Sequence, residues 1–191
     1  MSEHLKITVG ADEALASIRE QIDALGTRTA RRVLKKSAQR AATRGRVVAI
    51  KYIKERYDLA SVSILPKNIK AIGTTRGKAS VRSVGRPLGL WHFRTKPKNT
   101  SDTTGSNRTL IRARVLKSDQ FKEVERGFFW KGSLLQRRDA PRVPLDRVEG
   151  PAFPQMLGDS AIVEQVQNEM LDSFYKNAKH ELEYRLSKVK K

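Results

Sequence analysis

Three histidines, one glycine-flanked basic turn and a scatter of carboxylates are the residues of this 191-residue chain whose chemistry could exceed a structural role. A zinc or general acid–base site needs histidines or carboxylates at ligand spacing, for example on successive turns of one helix face. His4 and His92 fall in strand patterns and His180 in a late helical pattern, with no second histidine or carboxylate at that spacing. The turn "GTTRGKAS" at 73–80 comes nearest to a phosphate-cradling loop but is read as a basic turn between strands. Such a loop has four residues between its glycines and a Ser or Thr after its lysine, whereas here three residues separate Gly73 from Gly77, and Ala79 follows Lys78. No G-x-S-x-G elbow is present, and the carboxylates of "PLDRVEG" lack the flanks of a metal-dependent nuclease. There is no cysteine, hence no thiol nucleophile, disulfide framework or zinc-finger set. The residues point to no catalytic group, no metal ligand and no cofactor.

What the chain carries instead is charge. Lys and Arg total 39 against 20 Asp and Glu, a net charge of +19. Residues 1–23 hold two bases and five acids, residues 24–101 twenty bases with only Glu55 and Asp58, and residues 102–191 seventeen bases and thirteen acids. So +18 of the +19 lies between 24 and 101. An acidic partner is expected, either nucleic acid or an acidic protein surface. Apolar runs such as "VVAI" and "GFFW" are far too short to span a bilayer, and "MSEHLKITVG" lacks the pattern of a signal peptide. A soluble intracellular chain without a membrane partner is the expectation.

The elements that must position this charge form a single α+β domain, 1–191, in three stretches. In 1–59, "HLKITVG" alternates Leu5, Ile7 and Val9 as a half-buried strand does, and "ADEALASIREQIDALG" places Leu15, Ile18, Ile22 and Leu25 on one helical face before Gly26. Thr27 offers an N-cap, and nothing breaks the next pattern until about Asp58, so a basic helix of some 30 residues is expected. On it Ala30, Leu34, Ala38, Ala41, Gly45, Val48 and Tyr52 fall in one stripe, while Arg32, Lys35, Lys36, Arg40, Arg44, Arg46, Lys51 and Lys54 cover most of the rest. Val47 and Ile50 interrupt the basic side, which suggests burial on two sides near the C-terminal end.

Residues 60–158 read as an antiparallel meander. "KASVRSVG" and "LGLWHF" are strand candidates, and "TLIRARVLK" sets Leu110, Arg112, Arg114 and Leu116 on one face against Ile111, Ala113 and Val115. Between them the wholly polar stretch 94–108 reads as a long protruding hairpin tip, of the kind that is functional or disordered. "VERGFFWKG" gives another strand on which Phe129 must point opposite to Phe128 and Trp130, either buried on both faces or with a ring offered to a partner. "DAPRVPLDRVEGPAFPQML" follows as an extended, proline-punctuated segment. In 159–191 a cap at Asp159 or Ser160 opens a long helix. Its stripe is Val163, Val166, Met170, Phe174, Ala178, Leu182 and Leu186, with Asp172–Lys176 and Glu181–Arg185 at i,i+4.

The stretch "RRVLKKSAQRAATRGR", 31–46, poses the functional question. A helix that merely lay along DNA would not need Ala38, Ala41, Ala42, Gly45 and Ala49, and an interior glycine costs about 1 kcal/mol relative to alanine. The stripe Leu34, Ala38, Ala41, Gly45, Val48 and Tyr52 is therefore read as close packing. The basic side, with Arg32, Lys36, Arg40, Arg44 and Arg46, faces solvent, DNA or an acidic neighbour.

Order and spacing then suggest a family. "LKKSAQRAATRGRVVAIKYIKERYDL", "GRPLGLWHF", "GFFWKG" and "RVPLDRVEGPAFPQML" before a terminal helix resemble the prophage minor tail protein Z family, the tail-completion proteins of long-tailed bacteriophages, over about residues 30–175. Members commonly have Ser and Val after the Gly-Pro, where this chain has Ala152 and Phe153. The resemblance implies a structural virion protein rather than an enzyme. It would be assembled in the host cytoplasm, sit in the tail or neck at the head–tail junction, and form a homo-oligomeric ring, commonly six-fold. Other tail and neck proteins would be its partners, with non-specific contact to packaged DNA. On that reading Phe128, Trp130, Pro151, Phe153, Met156 and Leu157 are candidate subunit-interface residues. The basic region 24–101 by itself supports an alternative, a general nucleic-acid-binding protein.

Overall fold

The computed structural model describes residues 3–10, 12, 15, 18–23, 26–97, 110–138 and 144–189. Parts of the first helical pattern, the hairpin tip at 98–108 and residues 140–143 of the proline-rich segment lie outside them. The fold is α+β, as the sequence patterns require. Its elements are β1 (Glu3–Val9), α1 (Arg19–Asp23), α2 (Thr27–Arg56), α3 (Leu65–Asn68), β2 (Ile69–Gly73), β3 (Ala79–Gly85), β4 (Pro87–Gly89), β5 (Arg94–Lys96), β6 (Arg112–Arg114), β7 (Lys122–Glu123), β8 (Gly127–Trp130), β9 (Ser133–Arg137), β10 (Leu145–Arg147), β11 (Glu149–Ala152), α4 (Phe153–Leu157) and α5 (Ser160–Val189).

The two 30-residue helices, α2 and α5, lie against one another and form the most extensive contact between elements. Their side-chain pairs fix the direction. Lys36 meets Glu181, Arg44 meets Glu169 and Arg56 meets Asp159, so rising numbers on α2 match falling numbers on α5, and the helices are antiparallel. Thr27 is the first helical residue of α2 rather than its cap. Gly26, at φ +78°, occupies the cap position, and no side chain caps the helix. Asp159 does cap α5, its Oδ1 accepting from Ala161 N at 3.2 Å. The apolar stripe of α5 is buried at Val166, Met170, Phe174, Ala178 and Leu182. Ile162 is buried ahead of the half-buried Val163, and Leu186 is exposed where the helix outruns the core.

A three-stranded antiparallel sheet in the order β1-β3-β2 covers another side of α2. Ile7 pairs with Val81 and Val81 with Ala71, all on the helix-facing side, so the alternation read in "HLKITVG" and "KASVRSVG" becomes one apolar layer. The approach is close: a Cβ built on Gly73 would lie 2.5 Å from Gln39 N, a backbone atom of α2. β2 was not among the strand candidates, because "IKAIG" is too short to display a period. "LGLWHF" is not one strand. It gives β4, then a 3-10 turn at Leu90–His92.

The rest of the meander is split into small sheets, β5-β6-β7, β10-β9-β8 and β11-β4, so the strand reading holds locally without one continuous sheet. The faces read in "TLIRARVLK" appear at its start, with Ile111 and Ala113 buried and Leu110 exposed; only Arg112–Arg114 forms a strand, and Leu116 makes an isolated bridge to Tyr57. "RVEGPAFPQML" closes the core. Gly150 leaves room for Phe93, whose ring a Cβ there would meet at 2.7 Å, and Phe153, Met156 and Leu157 of α4 are buried beside β1 and β3.

Candidate functional site

The basic helix resolves into a packing seam and a charged ladder. Of the expected stripe, Ala38, Ala41, Gly45 and Val48 are buried, while Leu34 and Tyr52 are half-buried at its margin. A Cβ on Gly45 would come within 2.5 Å of Met170 Cγ and Sδ and 3.0 Å of Val81 Cγ2, so this glycine sits where helix, helix and sheet converge. Val33, Ser37, Ala42, Ala49 and Ile53 are buried as well, because α2 is covered on two sides along most of its length. The expectation that Val47 marks the second buried side is incorrect. Val47 is 55% exposed, whereas Ile50 is half-buried.

The ladder answers what the basic side faces: the polar side of α5. Lys36 Nζ lies 3.0 Å from Glu181 Oε1, Arg40 Nη1 donates to Asn177 Oδ1 at 3.2 Å, and Arg44 Nη2 lies 2.9 Å from Glu169 Oε2. Arg46 donates to the carbonyls of Ile69 at 2.8 Å and Pro66 at 2.7 Å, tying α2 to the start of β2. Glu181 is the most enclosed member, its side chain 6% exposed, and it also accepts from Arg185. Burial pushes its carboxyl up, but the hydrogen bonds from Lys36 and Arg185 and their charges together outweigh that and hold it below the ordinary glutamate value. Among the five residues expected to meet DNA or an acidic partner, Lys36, Arg40, Arg44 and Arg46 are thus engaged within the chain. Arg32 is exposed, in line with Arg28, Arg31 and Lys35, which are exposed and have no acidic partner among the described residues.

The expected interface residues divide in the same way. Phe153, Met156 and Leu157 are not surface groups. They are 3% exposed or less, because α4 is too short to bury an apolar face against anything but the domain itself. Pro151 is half-buried. The β8–β9 hairpin is not buried on both faces: Phe129 packs against the core, while Phe128 is half-buried and Trp130 is 56% exposed on the other side. Lys131 and Gly132, at φ 47° and 77°, make the two-residue turn of this hairpin. Lys131 Nζ lies 4.8 Å from the Trp130 ring and Arg137 5.3 Å from that of Phe128, leaving an apolar edge rimmed by cations.

Two arrangements had no part in the sequence reading. Asp58, buried at the end of α2, holds Arg114 at 2.6 Å and Arg94 at 3.5 Å, while its N–H donates to Val115 O and Arg94 N donates to its carbonyl. These contacts clamp the root of the β5–β6 hairpin to the long helix. In register, Arg94 stands opposite Arg114 and Lys96 opposite Arg112, and Lys96 and Arg114 both lie within 4.7 Å of the Phe121 ring. The other arrangement is on the outer face of the first sheet, where Lys6, Arg82 and Lys70 stand side by side on three neighbouring strands. Composition gave only a coarse hint of it: residues 59–101, which include Lys70 and Arg82, contain nine bases and no acid, but which of them share a face depends on register.

The three histidines lie on different elements. His4, 3.4 Å from Arg82, is on β1, His92 is in the 3-10 turn and His180 is exposed on α5. No group of three or more His, Asp or Glu among the described residues could hold a metal ion, and no helix among them is long and apolar enough to cross a membrane. A hollow of about 440 Å³ lies between β6, β7 and β9, lined among others by Arg114, Asp119, Lys122, Glu123, Glu125 and Gln136, with no His, Ser or Thr in its lining. Comparison with known proteins leaves the assignment to this geometry and the sequence: no family model, no curated protein and no solved structure matches the chain.

Proposed function

We propose that this chain is a structural virion protein that completes the head-proximal end of a phage tail and helps join tail to head as a subunit of a ring. The observation that carries this reading is the locked root of a long polar stretch. Residues 94–108 hold no apolar side chain, and a loop without apolar residues adds little to a core. Yet its base is fixed to α2 by a buried carboxylate shared between two arginines. A polar stretch anchored at its root suits a subunit that grips its neighbours. The resemblance in "RVPLDRVEGPAFPQML" and the apolar edge at Phe128 and Trp130 support the same reading.

Shortening the tip, by deleting residues 99–107, tests it: the isolated protein should keep its thermal unfolding midpoint, while particles carrying the deletion should fail to become infectious. Fully infectious particles would overturn the connector role. The acid-free segment 59–101 favours a second reading, a free nucleic-acid-binding protein. A large preference for one of two unrelated duplexes, persisting at physiological salt, would decide for it.

A further inference from the structure

The outer face of the β1-β3-β2 sheet has a composition that neither packing nor solubility explains. Its outward residues are His4, Lys6 and Thr8 from β1, Ser80, Arg82 and Val84 from β3, and Lys70 and Ile72 from β2. Lys6 and Lys70 both pair in register with Arg82, and all three are exposed. Neighbouring strands lie about 4.8 Å apart, so the row carries three positive charges across about 10 Å. Like charges directly opposite each other destabilise a sheet, and no acid among the described residues pairs with any of the three. Lysines on edge strands guard against edge-to-edge aggregation, which accounts for Lys6 and Lys70. It does not account for Arg82, which is on the central strand between them.

We infer that this face binds the phosphate backbone of a nucleic-acid duplex without reading its sequence. Phosphate contacts need cations and small donors, and the face supplies Lys6, Arg82 and Lys70 beside the exposed hydroxyl of Thr8. A single strand would require an aromatic stacking platform, and the face has no aromatic residue other than His4 at its margin. An acidic protein surface would require an apolar or aromatic anchor at the centre of the patch. Here Ile72, 40% exposed, is the only large apolar side chain open to solvent on the face, and the centre is Arg82. The β2–β3 turn and the end of β3 extend the field with Arg76, Lys78 and Arg86, all exposed.

The inference does not rest on the tail reading, because it is tested on the isolated full chain. Anisotropy of a labelled 30-base-pair DNA duplex, its RNA counterpart and a single strand is followed as salt rises, with poly-glutamate as competitor. The variant Lys6→Gln/Lys70→Gln/Arg82→Gln is compared with Arg28→Gln/Arg31→Gln/Lys35→Gln, which removes the same charge from α2. The sheet variant should lose at least ten-fold in duplex affinity, and its slope of log affinity against log salt should fall by about 2.7, at about 0.9 per lost phosphate contact. The helix variant should lose less than three-fold, and DNA and RNA duplexes should be bound alike. Arg82→Gln alone, which leaves both edge lysines in place, should cost about three-fold and keeps the test open if the triple variant does not fold. Equal losses from sheet and helix variants, absence of duplex binding, tighter binding of the single strand, or displacement of the duplex by poly-glutamate at equal charge would each overturn the proposal.

Discussion

The long helix α2 and the β1-β3-β2 sheet packed on it are both basic, yet they use their cations in opposite ways. On α2 the bases from Lys36 to Arg56 are largely engaged by α5, through Glu181, Asn177, Glu169 and Asp159, or by backbone carbonyls. On the sheet Lys6, Arg82 and Lys70 stand in a row with no acid partner among the described residues. Density of charge along the sequence thus misidentifies the open cationic surface. The densest basic run, 31–46, is mostly an internal seam, whereas Lys6, Lys70 and Arg82, each isolated in the sequence, gather on one face when the strands pair. Counting the acids within reach in the folded chain, rather than bases per window, separates the two.

The largest effect should come from the packing half of the seam. Ala41 is fully buried and Gly45 has no space for a Cβ, so Ala41→Leu or Gly45→Leu should lower stability by about 1–3 kcal/mol or more, seen as an earlier thermal unfolding transition. Arg40→Ala removes an exposed hydrogen bond to Asn177 and should count for well under about 1 kcal/mol. Equal and small effects would show that the stripe is not a packing face.

The ladder predicts an intermediate effect with a definite pH sense. Glu181 has its carboxyl held below the ordinary range in the folded chain, so its contribution is present above the unfolded value and lost as pH falls through the folded one. Glu181→Ala should cost about 2 kcal/mol at pH 7, since three hydrogen bonds from charged donors are lost, and progressively less under acid. Unfolding midpoints of both proteins measured between pH 7 and pH 3 should converge at the acid end. A gap that stays constant or widens there would mean that the carboxylate is not what the seam uses.

How far these features were legible in the sequence follows from the range of the interactions. The two long helices, the buried small-residue stripe and the i,i+4 pairs Asp172–Lys176 and Glu181–Arg185 depend on neighbours within one or two turns, and the spacing of residues carries them. The antiparallel ladder joins residues more than 100 positions apart, and nothing local marks Glu181 as the partner of Lys36. The same limit explains Phe153, Met156 and Leu157: an apolar cluster after Gly-Pro looks alike whether it meets a neighbouring subunit or its own β1. The cationic row could not be read because β2 shows no alternation and register decides which bases share a face.

The smallest effect concerns the exposed end of α2, and it sharpens the comparison by asking whether free bases there cost the helix anything. Arg28 lies in the first turn, which contains no acidic residue and has no side-chain cap. The helix dipole places partial positive charge at this end, so a guanidinium there is repelled and a carboxylate is attracted. Arg28→Glu should therefore raise the stability of the isolated chain by about 0.5–1 kcal/mol, a shift of about 1–4 °C in the unfolding midpoint for a domain of this size. The gain should shrink at about 1 M salt, where screening acts within a few ångströms. An unchanged or lowered midpoint would mean that Arg28 has an acidic partner of its own, and that the whole basic face of α2, rather than only its ladder, is neutralised within the chain.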